Sequence, residues 1–184
     1  MVMRKVAIVV CSLFLFVSAA SSQVPSGNVF FGYSYYNADL SSLGRSSLNG
    51  WNGSVEGKLL PWVGIVADIG GHYGSEGFPI ACTTPGPCPH LSVSVHEYNF
   101  LFGPRVSVSV GKIRPFAEAM FGGGHISTNG AGSDTSFVTA LGGGIDYHLI
   151  PLVALRLEGD YVQTRFFSTT QNNVRMSTGI VLRF

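Results

Sequence analysis

The sequence is short of charge. Asp, Glu, Lys and Arg make up 11% of its 184 residues, against about 25% in an average soluble domain. A chain so poor in charge must hide its apolar surface in a core or in lipid. Long apolar runs are also missing: beyond Val17 there is no stretch of about 18 uninterrupted apolar residues, so none can cross a bilayer as a helix. Basic residues form no patch, which argues against a nucleic-acid surface. Cysteine is scarce, with only Cys11, Cys82 and Cys88. What the chain has in quantity is glycine, at 24 residues, and aromatics, at 12%.

The first residues read as a secretory signal. Arg4 and Lys5 precede an apolar run from Val6 to Val17, and Ser18 and Ala20 suit the small-residue positions of a cleavage site. This assigns residues 1–20 to a signal peptide, although cleavage after Ser22 fits as well. Cys11 lies within the apolar run, which argues against a lipoprotein anchor. Loss of Arg4 and Lys5 leaves nine basic and ten acidic residues. The remainder, residues 24–184, is the size of one domain.

The final stretch sets the pattern for the rest. In NNVRMSTGIVLRF, Val174, Met176, Thr178, Ile180, Leu182 and Phe184 share one face, and Asn173, Arg175, Ser177, Gly179, Val181 and Arg183 share the other. Alternation of period two over this length is a strand with two different environments. Seven earlier segments alternate in the same way, near residues 28–38, 50–60, 63–74, 92–106, 114–124, 135–147 and 153–163. Short turns are expected around 61, 110 and 150, and longer loops over 39–49, 75–91, 125–134 and 164–171. The Leu60-Pro61-Trp62 turn offers a natural interface anchor.

Charge placement decides between a soluble and a membrane barrel. Thirteen charged residues fall within these strands: Glu56, Lys58, Asp68, Glu97, Arg105, Arg114, Glu118, Asp146, Arg156, Glu158, Asp160, Arg175 and Arg183. Each lies opposite the aliphatic and aromatic series of its strand. A soluble barrel turns its charges to solvent, whereas this pattern leaves Phe, Tyr, Leu, Val and Ile outside, where only lipid accepts them. Seven acids and six bases can nearly neutralise one another inside. The fold class expected is all-β, an eight-stranded antiparallel up-and-down transmembrane β-barrel.

The segments YNFLFGPRVSV (98–108), RPFAEAMFGGGH (114–125), ALGGGIDYH (140–148) and QNNVRMSTGIVLRF (171–184) resemble the eight-stranded outer-membrane protein β-barrel family. That family is related to the OmpA-like transmembrane domain and is often labelled "porin family". The resemblance implies a bacterial outer-membrane location, contact with outer-membrane lipid, and Phe184 as the C-terminal signal read by the barrel assembly machinery. It implies structural, adhesion or small-pore roles without selecting among them.

Candidate sites are few. Cys82 and Cys88, in the Pro/Gly-rich ACTTPGPCPH loop, are expected to pair in an oxidising compartment, worth roughly 2 to 3 kcal/mol through loop closure; a metal site including His90 is the weaker reading. The inward charges are expected to form a structural salt-bridge core, since eight strands leave an interior just filled by side chains; a proton or ion path is the alternative. Gly122–Gly124 and Gly142–Gly144 precede no helix and so are not phosphate loops; they would make room for bulky neighbours. His125-Ile126-Ser127 is similar to the His-x-Ser of barrel lipid A deacylases, but Asn129 is displaced by one and Thr139 stands where the acid belongs. A Ser–His pair without its orienting acid is a poor nucleophile. No enzyme, cofactor or metal is implied. The expected role is structural, adhesive or another surface interaction, with little pore activity. A small-pore channel comes next, and a lipid-acting enzyme or a lipocalin-like binder after it.

Overall fold

The computed structural model describes residues 26–39, 45–79, 90–129, 132–166 and 169–184. The proposed signal segment and the Cys82–Cys88 loop lie outside the described residues.

Eight strands run in order: β1 (Gly27–Asp39), β2 (Arg45–Leu60), β3 (Val63–Pro79), β4 (His90–Ser107), β5 (Ile113–Thr128), β6 (Gly132–Ile150), β7 (Val153–Thr164) and β8 (Gln171–Arg183). Each pairs antiparallel with its sequence neighbours, and β8 returns to β1, from Asn28↔Arg183 to Asn37↔Val174. The barrel wall is closed, and only the loop-end extensions, such as residues 74–79 of β3 and 90–94 of β4, pair on one side alone. Beyond β8, Gly27 and Phe184 exchange both backbone hydrogen bonds, at 2.9 and 3.1 Å.

One end of the barrel carries short connections. Pro61-Trp62 and Pro151-Leu152 are two-residue turns, each beside a register shift. The β4–β5 turn closes on a Val110↔Ile113 bridge, with Gly111 at φ 61°, a left-handed conformation that glycine adopts without a Cβ clash. This turn end also holds both termini of the barrel. The opposite, loop end differs from the sequence expectation, because strands reach into segments expected as loops. β2 begins at Arg45, β3 continues to Pro79, β4 begins at His90, β5 runs to Thr128 and β6 starts at Gly132. In the β2 and β5 extensions Ser47, Asn49, His125 and Ser127 lie on the outer face, so the composition reads as loop although the ladder continues.

Burial alternates along every wall segment, and the two faces are chemically inverted relative to a soluble protein. Phe31, Ile69, Phe100, Phe137, Leu141, Leu157 and Ile180 are exposed, Leu157 at 66%. Tyr33, Tyr73 and Tyr98 lie outward towards the loop end, with Tyr73 and Tyr98 edge to face at 5.8 Å. Trp62, Tyr147 and Phe184 mark the turn end. An apolar belt between two aromatic girdles is the surface a bilayer solvates. No described helix is long and apolar enough to cross a membrane; the strands are what cross it.

Candidate functional site: a charged lumen and its apolar plug

Strand alternation sends one side chain in two into the lumen, and closure brings strands distant in sequence face to face. Three arginines organise the result. Arg175 on β8 donates to Asp160 on β7 at 2.8 Å, its cross-strand neighbour, and to Asp68 on β3 at 2.7 Å. Arg105 on β4 holds Glu118 on β5 at 2.6 Å. Arg156 on β7 meets Asp146 on β6 through Nε at 2.6 Å and Nη2 at 3.0 Å, a fork-on-carboxylate pair. Glu158 sits among all three guanidinium groups, 3.4, 3.6 and 3.7 Å from Arg105, Arg156 and Arg175.

The network continues to the turn end. Glu56 accepts from Asn28 at 2.7 Å and pairs with Lys58 at 2.5 Å, Arg105 at 3.4 Å and Arg114 at 3.5 Å. Lys58 and Arg114 also donate to Ser107, at 2.6 and 2.7 Å. Arg105 and Arg156 flank the Phe116 ring, their guanidinium carbons 4.4 and 4.6 Å from its centroid. Both contacts are within cation–π range and tie the Phe116 ring into the ion network.

Of the residues singled out from sequence, Glu56, Lys58, Asp68, Arg105, Glu118, Asp146, Arg156, Glu158, Asp160 and Arg175 are thus joined in one network, with Arg114. Glu97 stands apart. It is buried towards the loop end, accepts from Asn99 at 3.2 Å, and makes no ion pair among the described residues. Arg183 lies at the turn-end rim against the His148 ring. Phe184 is outward and 58% exposed.

Sequence reasoning missed two layers. The first is polar and uncharged: His72 Nε2 meets Ser34 at 2.9 Å, Ser177 donates to Ser34 at 3.1 Å, and Tyr36 stacks on His72 at 4.7 Å. The second is apolar and interleaves with the charges. Leu48, Val66, Leu101, Val138, Val162 and Phe166 are fully buried and belong to one cluster with Met120 and Ile126. The lumen is therefore not charged throughout: the apolar cluster interleaves with the ion network, with Val66 on the turn-end side of Asp68 and Leu101 opposite it, and buried Glu97, Asn99, Thr164 and Asn173 continue the polar lining towards the loop end. Each plug residue is a lone apolar side chain on a mostly polar inward face, so no single strand announces the cluster.

Inward glycines make the packing possible. A Cβ on Gly142 would strike the Asp160 carboxylate, one on Gly144 would lie 2.8 Å from the Phe116 ring, and one on Gly124 would lie 2.6 Å from the Asn99 side chain. Oxygens of Glu118, Glu158 and Asp160 approach within 4.8 Å of one another. Arg105 and Arg175 already occupy this cluster, so a metal ion there would have to displace a guanidinium. His125 and Ser127 face outward, and His125 Nδ1 meets the Thr135 hydroxyl at 2.8 Å, where a hydrolytic triad needs a carboxylate.

No protein-family model and no curated protein matches the chain. Among solved structures it is similar to Neisserial surface protein A, at 16% identity and a TM-score of 0.66, covering 86% of this chain and 97% of that one. It is also similar to Ail, the attachment invasion locus protein of Yersinia pestis, solved with the heparin analogue sucrose octasulfate. That match has 14% identity and a TM-score of 0.58, and covers 86% and 98% of the two chains. At these identities the likeness is one of fold, and the chain has the fold of the eight-stranded outer-membrane β-barrels.

Proposed function

We propose that the protein is a bacterial outer-membrane barrel with a structural or surface-interaction role, carried by its loop end and not by passage through its lumen. The carrying observation is the filled interior: a linked ion network and, packed among and above it, fully buried apolar side chains that include Leu48, Leu101 and Phe166. An eight-stranded lumen has little room to begin with, and paired charges and buried side chains fill it. The loop end then faces the outside and the turn end the periplasm. Strand β8 and Phe184 serve as the signal by which the barrel assembly machinery takes the chain.

An adhesion-type role is supported by two proteins of the same fold, one described as a surface protein and the other as an attachment protein. Two measurements test the reading. Boiling should shift the gel migration of protein extracted from outer membranes, and reconstituted protein should give little or no single-channel current. A band indifferent to boiling in the soluble periplasm would end the membrane assignment. Large stable openings would end the closed-lumen assignment. Cys82 and Cys88 are proposed to be paired in the envelope, and thiol labelling without reductant that finds two free cysteines would refute this.

A further inference from the structure

We propose that the turn-end mouth of the lumen is a binding site for a small oxyanion, a phosphate or carboxylate group arriving from the aqueous phase. The mouth holds a cleft of about 90 Å³ lined by Ser26, Lys58, Ser109, Arg114 and Arg183, with Phe184 at its rim. At about 30 Å³ per water molecule, it has room for about three heavy atoms, a carboxylate group or the inner oxygens of a phosphate. No carboxylate side chain lines it. The Phe184 main-chain oxygen at the rim accepts from the Gly27 amide at 2.9 Å, and where the chain ends at Phe184 its carboxylate offsets one of the three positive charges.

The charge around the cleft is out of balance. Lys58 and Arg114 must share the single carboxylate of Glu56 with Arg105, at 2.5, 3.5 and 3.4 Å. Arg183 has no carboxylate partner among the described residues; its Nη1 donates to His148 Nε2. A neighbouring cleft lined by Lys112, His148 and Arg183 again contains no acid. The acids that would restore neutrality lie deeper, where Asp68, Glu118, Glu158 and Asp160 surround only Arg105 and Arg175 with direct short pairs. The lumen is therefore polarised, positive at its mouth and acid-rich at its centre. Two guanidinium groups and an ammonium line one small cleft, and their remaining N–H groups can meet the oxygens of a phosphate or carboxylate. The two serines offer further donors. The acid-rich centre would repel an anion from moving deeper, which makes this a docking site and not a pathway.

The test uses the full barrel folded in phosphatidylcholine nanodiscs, with nitrogen-labelled arginine. Inorganic phosphate is titrated at ionic strength held constant with chloride, and the Nε–Hε resonances of Arg114 and Arg183 are followed. A saturable shift at both arginines with phosphate, absent with chloride, is expected. Arg183→Gln should weaken it by roughly tenfold, the loss typical of one charge-assisted hydrogen bond. Ser109→Glu places a carboxylate at the cleft from an exposed turn, should abolish the shift without touching the ion network, and keeps the test valid if Arg183→Gln does not fold. Equal linear shifts with phosphate and chloride would mean ionic screening only and overturn the proposal. A shift that survives Ser109→Glu unchanged would place the anion elsewhere and also overturn it. A response appearing only with phosphatidylglycerol in the nanodisc would assign the mouth to lipid headgroups and defeat a solute site.

Discussion

Two opposite chemistries fill the lumen within one continuous wall. Buried Arg, Lys, Asp and Glu interlock from the turn end to the centre; Leu48, Val66, Leu101, Val138 and Phe166 belong to one apolar cluster packed among and above them. An apolar plug is forgiving, since each side chain contributes its own burial and its loss leaves a cavity and nothing more. An ion network is not: removing one member strands its partners as buried, unpaired charges. The comparison teaches that burial alone does not set the cost of a substitution here. What matters is whether the neighbours left behind can stand alone.

The strongest way to break this contrast is Arg175→Gln. It leaves Asp68 and Asp160 without their 2.7 and 2.8 Å partner and should destabilise the barrel by about 3 to 5 kcal/mol. Adding Asp160→Asn should recover part of that loss, measured as urea-midpoint shifts in lipid vesicles for single and double variants. Strict additivity would mean the two groups are not coupled.

Leu101→Ala probes the plug and should cost about 2 to 4 kcal/mol by transfer and cavity. No second substitution at Arg175 or Asp160 should relieve it. It should also raise membrane leak more than Arg175→Gln does, because the apolar cluster and not the ion network is what excludes water. Equal leak from both variants would erase the distinction between the two chemistries.

The outer face sharpens the contrast by supplying a third environment. Leu157, exposed to lipid on β7, alternates with buried Arg156 and Glu158. Leu157→Arg should cost roughly 2 to 4 kcal/mol near the bilayer midplane, read as folding yield into vesicles. Wild-type yield would show that this face does not meet lipid.

Smallest is a pair of glycine substitutions. Gly142→Ala drives a methyl into the Asp160 carboxylate and the Gly159 backbone and should cost about 1 to 3 kcal/mol. Gly123→Ala points outward, with its nearest neighbour, the Ser136 carbonyl oxygen, at 4.0 Å, and should change stability by less than about 1 kcal/mol. Equal losses by the same urea assay would contradict the facing of these two residues.

Much of the molecule was legible without coordinates. Period-two alternation fixes a face for every residue of a strand relative to its neighbours, so Arg156 and Glu158 could be set against Leu155 and Leu157 from sequence alone. Charge scarcity then decides which face is inside, because only lipid tolerates the aliphatic one. Strand ends at the loop end were less legible. Ser46, Ser47, Leu48 and Asn49 continue the ladder of β2 beyond the apolar belt, where the outer face is again polar and alternation loses its contrast.

The sequence by itself determined eight two-faced strands, their order, and a membrane-facing exterior, since each follows from local periodicity and from charge within one segment. Only the tertiary structure decided which charges meet and where charge gives way to hydrocarbon. Asp68 on β3 finds Arg175 on β8 across the lumen, although 107 positions separate them. Leu48, Leu101 and Phe166 become one cluster only when three separate parts of the chain are brought together. Closure and the stagger of neighbouring strands set those meetings, and they are properties of the whole cylinder that no single strand contains.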